Sequence, residues 1–154
     1  MPENNLKKGI SLLEILIAVS ILAIVAVTFL QGFIGCIKLS SMLKESLYAL
    51  SSVQAKIEEI RNHNFLDIYN YYSGIGRTFK ISGLNSQDNM GTVLVDNTNP
   101  NLLKVIVLVC WRHMDGRIIG EDGNLDGILQ LQEDLNNNTK IDSPVSLATY
   151  IIKP

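Results

Sequence analysis

Residues 14–38 read Glu-Ile-Leu-Ile-Ala-Val-Ser-Ile-Leu-Ala-Ile-Val-Ala-Val-Thr-Phe-Leu-Gln-Gly-Phe-Ile-Gly-Cys-Ile-Lys. None of the 23 residues between the first glutamate and the final lysine of this stretch is charged. A helix of that length extends about 35 Å, which is enough to cross the roughly 30 Å hydrocarbon core of a bilayer. The stretch therefore predicts a membrane-spanning helix near the start of the chain.

The charges around this helix predict its orientation and argue against one class of ligand. Lys7 and Lys8 lie directly before the apolar stretch, and positive residues favour the cytoplasmic side of a membrane. We therefore expect a cytoplasmic N-terminus and an exported C-terminal part. The whole chain of 154 residues has a net charge of −2, so no basic excess favours nucleic acid as a ligand.

Two simpler interpretations of the same stretch are a secretory signal peptide and a plain membrane anchor. The apolar region of a signal peptide has about 7 to 15 residues and precedes a small-residue cleavage site, whereas this run is longer and no such site follows it. A plain anchor does not explain Glu14, because a carboxylate inside the bilayer costs roughly 2.5 kcal/mol or more. The glutamate therefore indicates a further function of the helix.

The segment at the start of the apolar stretch carries a processing motif. Residues 7–17 read Lys-Lys-Gly-Ile-Ser-Leu-Leu-Glu-Ile-Leu-Ile and resemble the N-terminus of type IV pilins and pseudopilins. In those families a short basic leader ends in Gly, an apolar residue follows, and Glu occupies the fifth position after the cut. Gly9, Ile10 and Glu14 match these positions. The resemblance implies that a prepilin peptidase cuts after Gly9 and methylates the new amino group of Ile10.

Two further comparisons refine this resemblance. Major pilins usually have Phe where this chain has Ile10, and the difference favours a minor pilin or a pseudopilin. Residues 56–65 are similar to the end of the long helix in minor pilins of the pilus-modification type. Cleavage leaves a positive amino group on Ile10, which can neutralise the Glu14 carboxylate of a neighbouring helix and so direct assembly. The alternative is that the Glu14 side chain extends to the lipid headgroups by itself.

The helix is expected to continue beyond the membrane. Apolar residues recur there at three- and four-residue spacings, which is the pattern of a helix with one apolar face. They are Leu43, Leu47, Leu50, Val53, Ile57 and Ile60. The pattern predicts a single helix from about Ile10 to Arg61. After a leader of residues 1–9, its membrane-embedded half covers residues 10–37 and its amphipathic half residues 38–62.

The remainder of the chain predicts a small antiparallel sheet after a linker of residues 63–76. Four segments have the composition of strands, at residues 77–82, 92–95, 102–113 and 147–152. In the strongest of them, alternate residues from Val105 to Trp111 share one face, which we expect to pack on the helix. The predicted fold class is α+β and pilin-like, with one long N-terminal helix packed on the sheet in a globular part of residues 38–154.

The loop before the last strand contains a metal-binding pattern. Residues 122–133 match D-x-[DN]-x-[DN]-G-x5-E at every defined position, which is the pattern of a calcium-binding loop. Alternate oxygen side chains converge on one ion as such a loop turns at Gly127, and a backbone carbonyl and a final glutamate complete the shell. The expected ligands are Asp122, Asn124, Asp126, the backbone carbonyl of Ile128, and Glu133.

A weaker copy of the pattern begins twelve residues later. Thr139 replaces the glycine of the first copy, and no terminal glutamate follows. The expected ligands of this copy are Asp134, Asn136, Asn138 and Asp142. The sequence thus predicts one or two calcium sites within an insertion of residues 121–143. The alternative is a polar surface loop without a metal, because loops rich in Asn and Asp are common between strands.

No residue pattern in the sequence indicates catalysis. The chain lacks a nucleophile elbow, a phosphate-binding loop and zinc-ligand spacing, so we expect that it is not an enzyme. His63 and His113 are expected at the surface or its boundary, and Trp111 in the core. Cys36 and Cys110 are expected to be two buried free thiols rather than a disulfide.

The predicted function is that of a minor pilin-like subunit of a type IV pilus. The chain is expected to lie first in the bacterial inner membrane, as a single-pass protein, and then in the pilus or pseudopilus. Its expected partners are the prepilin peptidase/methyltransferase, the inner membrane, and other pilin or pseudopilin subunits contacted through the N-terminal helix, with no nucleic acid required. Two alternatives stay open: a pseudopilin of a type II secretion system, and an uncleaved membrane-anchored calcium-binding domain.

Overall fold

The structure is a computed structural model, and it describes residues 11–84 and 88–154. Within these ranges the elements are helix α1 (Leu12–Arg61), helix α2 (Phe65–Tyr72), a 3-10 turn (Ile75–Arg77), and strands β1 (Thr78–Phe79), β2 (Asn89–Asn99), β3 (Leu102–Arg112), β4 (Ile118–Ile119) and β5 (Ser146–Ile152). The architecture is α+β, as predicted, with a long N-terminal helix and a small antiparallel sheet. By its internal contacts the chain divides into two compact units, Met1–Ser41 and Met42–Pro154.

The described part of the first unit is the apolar portion of α1. All side chains of residues 11–40 are exposed in the single chain. The most apolar window of 18 residues has a mean hydropathy of 2.7 and is not buried at all, so α1 is long and apolar enough to cross a membrane. Exposed apolar surface costs about 25 cal/mol per Å² in water. This portion of the helix is therefore stable only where lipid or other helices cover it.

In the second unit, α1 buries one side against the sheet. The buried residues are Glu45, Ala49, Val53, Ile57 and Ile60, at spacings of three and four that return to the same side of a helix. The amphipathic continuation was predicted, but the buried side differs from the predicted one at its start. Leu43 and Leu47 are 58 % and 66 % exposed, because Glu45 and Ala49 occupy the positions that face the sheet.

The segment predicted as a linker, residues 63–76, contains α2 and the start of the 3-10 turn. Helix α2 begins after the N-cap Asn64, whose side-chain oxygen accepts a hydrogen bond from the backbone N–H of Leu66 at 3.2 Å. Ile68 and Tyr72, four residues apart, are fully buried in the main core. The helix was missed because a segment of 8 residues is too short to establish a helical period by itself.

Strand β3 lies at the centre of the sheet. It pairs antiparallel with β2 along one edge, and with β5 and β4 along the other. Strand β1 adds to the outer edge of β2 at two positions only, Thr78 opposite Thr92 and Phe79 opposite Gly91. The strands predicted at 102–113 and 147–152 correspond closely to β3 and β5.

The other strands differ from their predictions. The strand predicted at 92–95 is the 11-residue β2, and the strand predicted at 77–82 shortens to the two residues of β1. Strand β4 was not predicted, because its two residues are held only by pairing with the end of β3. Such short strands depend on a partner from elsewhere in the chain rather than on their own composition.

The two faces of β3 are covered by different parts of the chain. The face that packs on α1 is formed by Val105, Val107, Val109 and Trp111, as predicted, and each of these residues is at most 2 % exposed. On the opposite face, Leu108 and Cys110 form a second apolar cluster with Leu125 and Ile141. The loop of residues 121–143 therefore covers part of the outer face of the sheet.

Candidate functional site

The loop of residues 121–143 contains two successive turns with matching backbone conformations. Residues 122–133 form repeat 1, and residues 134–142 form repeat 2. Residues with positive φ lie at equivalent positions of the two repeats: Leu125 (59°) with Asn137 (57°), and Gly127 (80°) with Thr139 (61°). Positive φ is uncommon for residues other than glycine. The coincidence at both positions shows that the two repeats have the same local fold.

Three side chains hold repeat 1 by accepting hydrogen bonds from backbone N–H groups of the same turn. The Asp122 carboxylate accepts from Asp126 at 3.1 Å and from Gly127 at 2.8 Å. The Asn124 side chain accepts from Asp126 at 3.0 Å, and the Asp126 carboxylate accepts from Ile128 at 2.7 Å. The side-chain oxygens at these alternate positions therefore stabilise the turn.

Two carboxylates close repeat 1 from opposite ends. Glu133 lies against the turn, where it accepts from the backbone N–H of Asn124 at 3.0 Å and of Gln130 at 3.1 Å. Asp122 is 0 % exposed, and this burial raises the pKa of its carboxyl group. The neighbouring carboxylates of Asp126 and Glu133 also raise the pKa of Asp122, while the backbone N–H donors lower it. Repeat 1 thus places a buried carboxylate among other oxygen atoms.

Repeat 2 makes the four hydrogen bonds that Asp122, Asn124 and Asp126 accept in repeat 1, at the same offsets. The Asp134 carboxylate accepts from the backbone N–H of Asn138 at 3.0 Å and of Thr139 at 2.8 Å. The Asn136 side chain accepts from Asn138 at 3.1 Å, and the Asn138 side chain from Lys140 at 2.8 Å. Thr139 adopts the left-handed conformation that glycine has in repeat 1, at a cost of roughly 1–2 kcal/mol. The departure from the sequence pattern at this position does not change the turn.

The donor atoms of the repeats suit a hard cation such as calcium. In repeat 2, Asp142 accepts from the side-chain amides of Asn136 at 2.7 Å and Asn138 at 2.6 Å, so its carboxylate lies beside the other predicted ligands. Among the residues that the structure describes, no three His, Cys, Asp or Glu side chains converge in the manner of a metal site. The predicted ligand sets also include Asn oxygens and a backbone carbonyl, which are oxygen donors that calcium accepts.

Matched apolar residues fix both repeats to the outer face of the sheet. Leu129 of repeat 1 and Ile141 of repeat 2 occupy the same position within their turns. Both pack, together with Leu125, in the cluster formed by Leu108 and Cys110 of β3. The conformation of the repeats is therefore linked to the packing of the central strand.

Two glycines with positive φ allow this close approach. A Cβ atom on Gly127 would lie 2.4 Å from the side chain of Thr78, which is in β1. A Cβ atom on Gly120 would lie 2.4 Å from Sγ of Cys110. Both distances are far shorter than a van der Waals contact, so any larger residue would push the loop away from the sheet.

The two cysteines are free, as predicted, but only one is buried. Burial raises the pKa of the Cys110 thiol to about 11, so this thiol is protonated at neutral pH. The prediction that Cys36 is also buried is wrong for the single chain, where its side chain is exposed. Cys36 lies in the apolar portion of α1, whose side chains are all exposed in the described part of the chain.

A buried polar cluster that the sequence did not indicate joins α1 to β3. Glu45 is 7 % exposed, and its Oε2 accepts a hydrogen bond from Nε1 of Trp111 at 3.0 Å. The same oxygen lies 2.7 Å from Nδ1 of His113, which is 6 % exposed. The position of His113 at the surface or its boundary was therefore predicted wrongly, because Glu45 provides a polar partner inside the core. The signal in the sequence was Glu45 itself, a carboxylate at the same three- and four-residue spacing as the buried residues of α1.

The other histidine lies where it was expected. His63 is exposed, and its ring stacks on the ring of Tyr71 with their centroids 5.4 Å apart. It lies between the end of α1 at Arg61 and the start of α2 at Phe65.

The N-terminal segment carries the predicted processing and assembly residues. Gly9 and Ile10 lie outside the described residues. Glu14 lies in the first turn of α1, where its backbone N–H donates to the carbonyl of Ser11 at 3.0 Å. Its side chain is exposed on a helix surface that, apart from Ser11, is apolar. The geometry thus leaves the Glu14 carboxylate accessible to a group outside its own chain.

Comparison with known families identifies this segment. Residues 4–30 match the family described as the prokaryotic N-terminal methylation motif, so the chain carries the prepilin signal of type IV pilins and pseudopilins. The motif indicates a structural subunit that a prepilin peptidase processes and that assembles with other pilins. Together with the long apolar helix, it fits a membrane-anchored pilin. Neither a curated protein nor a solved structure gives a significant match to the chain.

Proposed function

We propose that this chain is a minor pilin-like subunit of a type IV pilus, cut after Gly9 and assembled through its N-terminal helix. The observation that carries the proposal is the methylation motif at residues 4–30. This motif overlaps the apolar portion of α1, which needs lipid or other helices around it. One continuous helix then provides the membrane span of the precursor and the packing surface of the assembled subunit.

The assembly step is proposed to depend on Glu14. Its carboxylate lies in the first turn of an apolar helix, and a charge in such surroundings is favourable only when it is paired. Cleavage after Gly9 frees the amino group of Ile10, which is then methylated and is four residues before Glu14 in the sequence. Pairing of this amine with Glu14 of a neighbouring subunit would neutralise both charges and fix the stagger between the two helices.

Maturation is the direct test of the proposed function. In cells with a prepilin peptidase, we expect the membrane-extracted chain to begin at Ile10 and to carry an N-terminal methyl group, as measured by intact mass and N-terminal peptide mass. Gly9→Val should leave the uncut chain, because the motif requires the small residue before the cut. Gly32→Val is the matched control, since a Cβ atom there meets nothing within 4 Å, and it should be cleaved normally.

The same experiment separates the alternatives. A wild-type chain that still begins at Met1, in cells that mature other prepilins, would contradict the proposal and favour the uncleaved anchor. Recovery of the cut chain in sheared surface fibres supports a pilus subunit. Retention of the cut chain in the envelope indicates a pseudopilin of a secretion system instead.

The Glu14 proposal predicts a defect in assembly without a defect in insertion. Glu14→Ala should enter the membrane and be cut normally, because the change makes the helix more apolar. Its amount in fibres should fall about tenfold or more, since a broken buried ion pair costs about 3–5 kcal/mol and 1.4 kcal/mol already changes an equilibrium tenfold. Quantitative immunoblots of sheared fibres and membranes measure both fractions.

A control for this variant lies in the same helix. The Ser20 hydroxyl donates to the carbonyl of Leu16 at 2.8 Å, within its own turn, so Ser20→Ala should not alter the amount in fibres. If Glu14→Ala is incorporated as efficiently as Ser20→Ala, Glu14 has no role in assembly.

We further propose that the two repeats bind calcium. The proposed ligands are Asp122, Asn124, Asp126, the carbonyl of Ile128 and Glu133 in repeat 1, and Asp134, Asn136, Asn138 and Asp142 in repeat 2. The oxygen donors, the matching turns and the buried carboxylate of repeat 1 support this proposal. An exported domain encounters calcium at millimolar concentration, where even weak extracellular sites are filled. The ion is proposed to stabilise the loop of residues 121–143, which covers part of the outer face of the sheet.

A further inference from the structure

A cavity of about 300 Å³ opens in the second unit, between the end of α2, the edge of β2 and repeat 2. Its lining combines apolar side chains of β2 and β3 with three cationic side chains, Arg77, Lys104 and Lys140. These cations come from three separate elements, the 3-10 turn, β3 and repeat 2. The volume is that of a small ligand pocket, since such pockets begin at about 300 Å³.

The positive charge of this cavity is not balanced by the described part of the chain. No described residue forms a salt bridge with Arg77, Lys104 or Lys140. The lining contains one carboxylate, Asp96, which accepts hydrogen bonds from the backbone N–H and the hydroxyl of Thr98. These bonds are the main reason why the pKa of Asp96 is lowered, and the two lysines contribute less. Three cations thus face one carboxylate that is already hydrogen-bonded.

Arg77 provides an independent indication of a missing partner. Its Nε is buried and has no hydrogen-bond partner, a condition shared among described side-chain atoms only by the hydroxyl of Thr92. A buried donor left without a partner costs about 1–3 kcal/mol, so native structures rarely retain one without a ligand or water. The 3-10 turn holds the backbone of Arg77 in place through a hydrogen bond from its N–H to the carbonyl of Gly74 at 3.1 Å.

We propose that this cavity binds an anionic ligand through a carboxylate or phosphate group held by Arg77, Lys104 and Lys140. A guanidinium presents several donors in one plane and forms paired hydrogen bonds with such groups, while the lysines add charge. Leu94 and Ile106, which are opposite one another on β2 and β3, line the same cavity and contact the non-polar part of the ligand. The anionic group belongs either to a free solute or to an acidic side chain of a neighbouring subunit.

Titration of the full chain in detergent tests this proposal without relying on fibre assembly. Sodium phosphate and N-acetylglutamate amide are the probes, with sodium chloride at equal ionic strength as the reference, in buffer without divalent cations. We expect a saturable heat of binding and a rise in the unfolding temperature with at least one probe. A stronger response to phosphate indicates a free oxyanion, and a stronger response to the glutamate derivative indicates an acidic side chain from another subunit.

Substitutions locate the binding site. Arg77→Met and, separately, Lys104→Met should each raise the Kd of the better probe at least about tenfold, because each removes one cation from the cavity. Arg117→Met is the control, since this arginine is exposed, pairs with Asp115 and does not line the cavity. If Arg77→Met does not fold, Lys104→Met still tests the proposal. No saturable binding to the wild type, or equal loss of binding in the control, would overturn the proposal.

Discussion

Replacing Glu45 with alanine is expected to lower the free energy of unfolding by about 2–6 kcal/mol, because it leaves two buried polar groups without their hydrogen-bond partner at a cost of about 1–3 kcal/mol each. The carboxylate of Glu45 is the hydrogen-bond partner of both the Trp111 indole and the His113 ring. Its removal leaves two polar groups in the core without that partner. Small domains have a total stability of about 5–15 kcal/mol, so this loss is a large fraction of it.

The measurement can be made at the site itself. Trp111 is the only tryptophan of the chain, so its fluorescence during urea unfolding of the full chain in detergent reports on this part of the core. Glu45→Gln keeps an oxygen acceptor and should be less destabilising than Glu45→Ala. A double variant that replaces both Glu45 and His113 measures the coupling between them. If it lowers the free energy of unfolding by less than the sum of the two single variants, the two residues act together.

The matched control lies on the same helix. Glu58 pairs with Arg61 at 2.8 Å, but the side chains are 66 % and 50 % exposed, so Glu58→Ala should change the free energy of unfolding by less than about 1 kcal/mol. If Glu45→Ala is no more destabilising than Glu58→Ala, the buried cluster does not stabilise the contact between α1 and β3.

Calcium is expected to raise the unfolding temperature of the full chain in detergent relative to the same chain in chelator. At a calcium concentration a hundred times the Kd, binding to the folded state alone adds about 2.7 kcal/mol to the free energy of unfolding. The physical reason is the charge of repeat 1, where the buried Asp122 carboxylate lies near those of Asp126 and Glu133. A cation at this site offsets both their mutual repulsion and the burial of charge.

Substitutions show whether the repeats cause the effect. Asp122→Ala combined with Asp126→Ala should remove the stabilisation that calcium provides through repeat 1, whereas Asp115→Ala should preserve it, because Asp115 is a carboxylate outside the repeats that pairs with Arg117. Magnesium should stabilise less than calcium, since the smaller ion is reluctant to give up its water. Calorimetry gives the number of sites. Equal unfolding temperatures in calcium and chelator, with no heat of binding, would indicate a polar loop without a metal.

The local interactions of the repeats explain why the candidate calcium site was visible in the sequence. Asp122 and Asp134 each accept hydrogen bonds from residues four and five positions later. Such contacts depend on the order of residues within one turn, so a residue pattern can describe them. The docking of the repeats was not visible, because Leu125 and Ile141 pack on β3 residues more than ten positions away.

The apolar N-terminal helix, the prepilin signal and the central strand were determined by the sequence alone. Each is a contiguous segment whose length, charge and apolar spacing carry the information. The tertiary structure alone decided which side of α1 is buried, that α2 and β4 form, and that Glu45 meets His113, which is 68 residues away in the chain. It also brought together the three cations of the cavity from separate elements. These features arise from packing between distant segments, whose energies no local pattern of residues expresses.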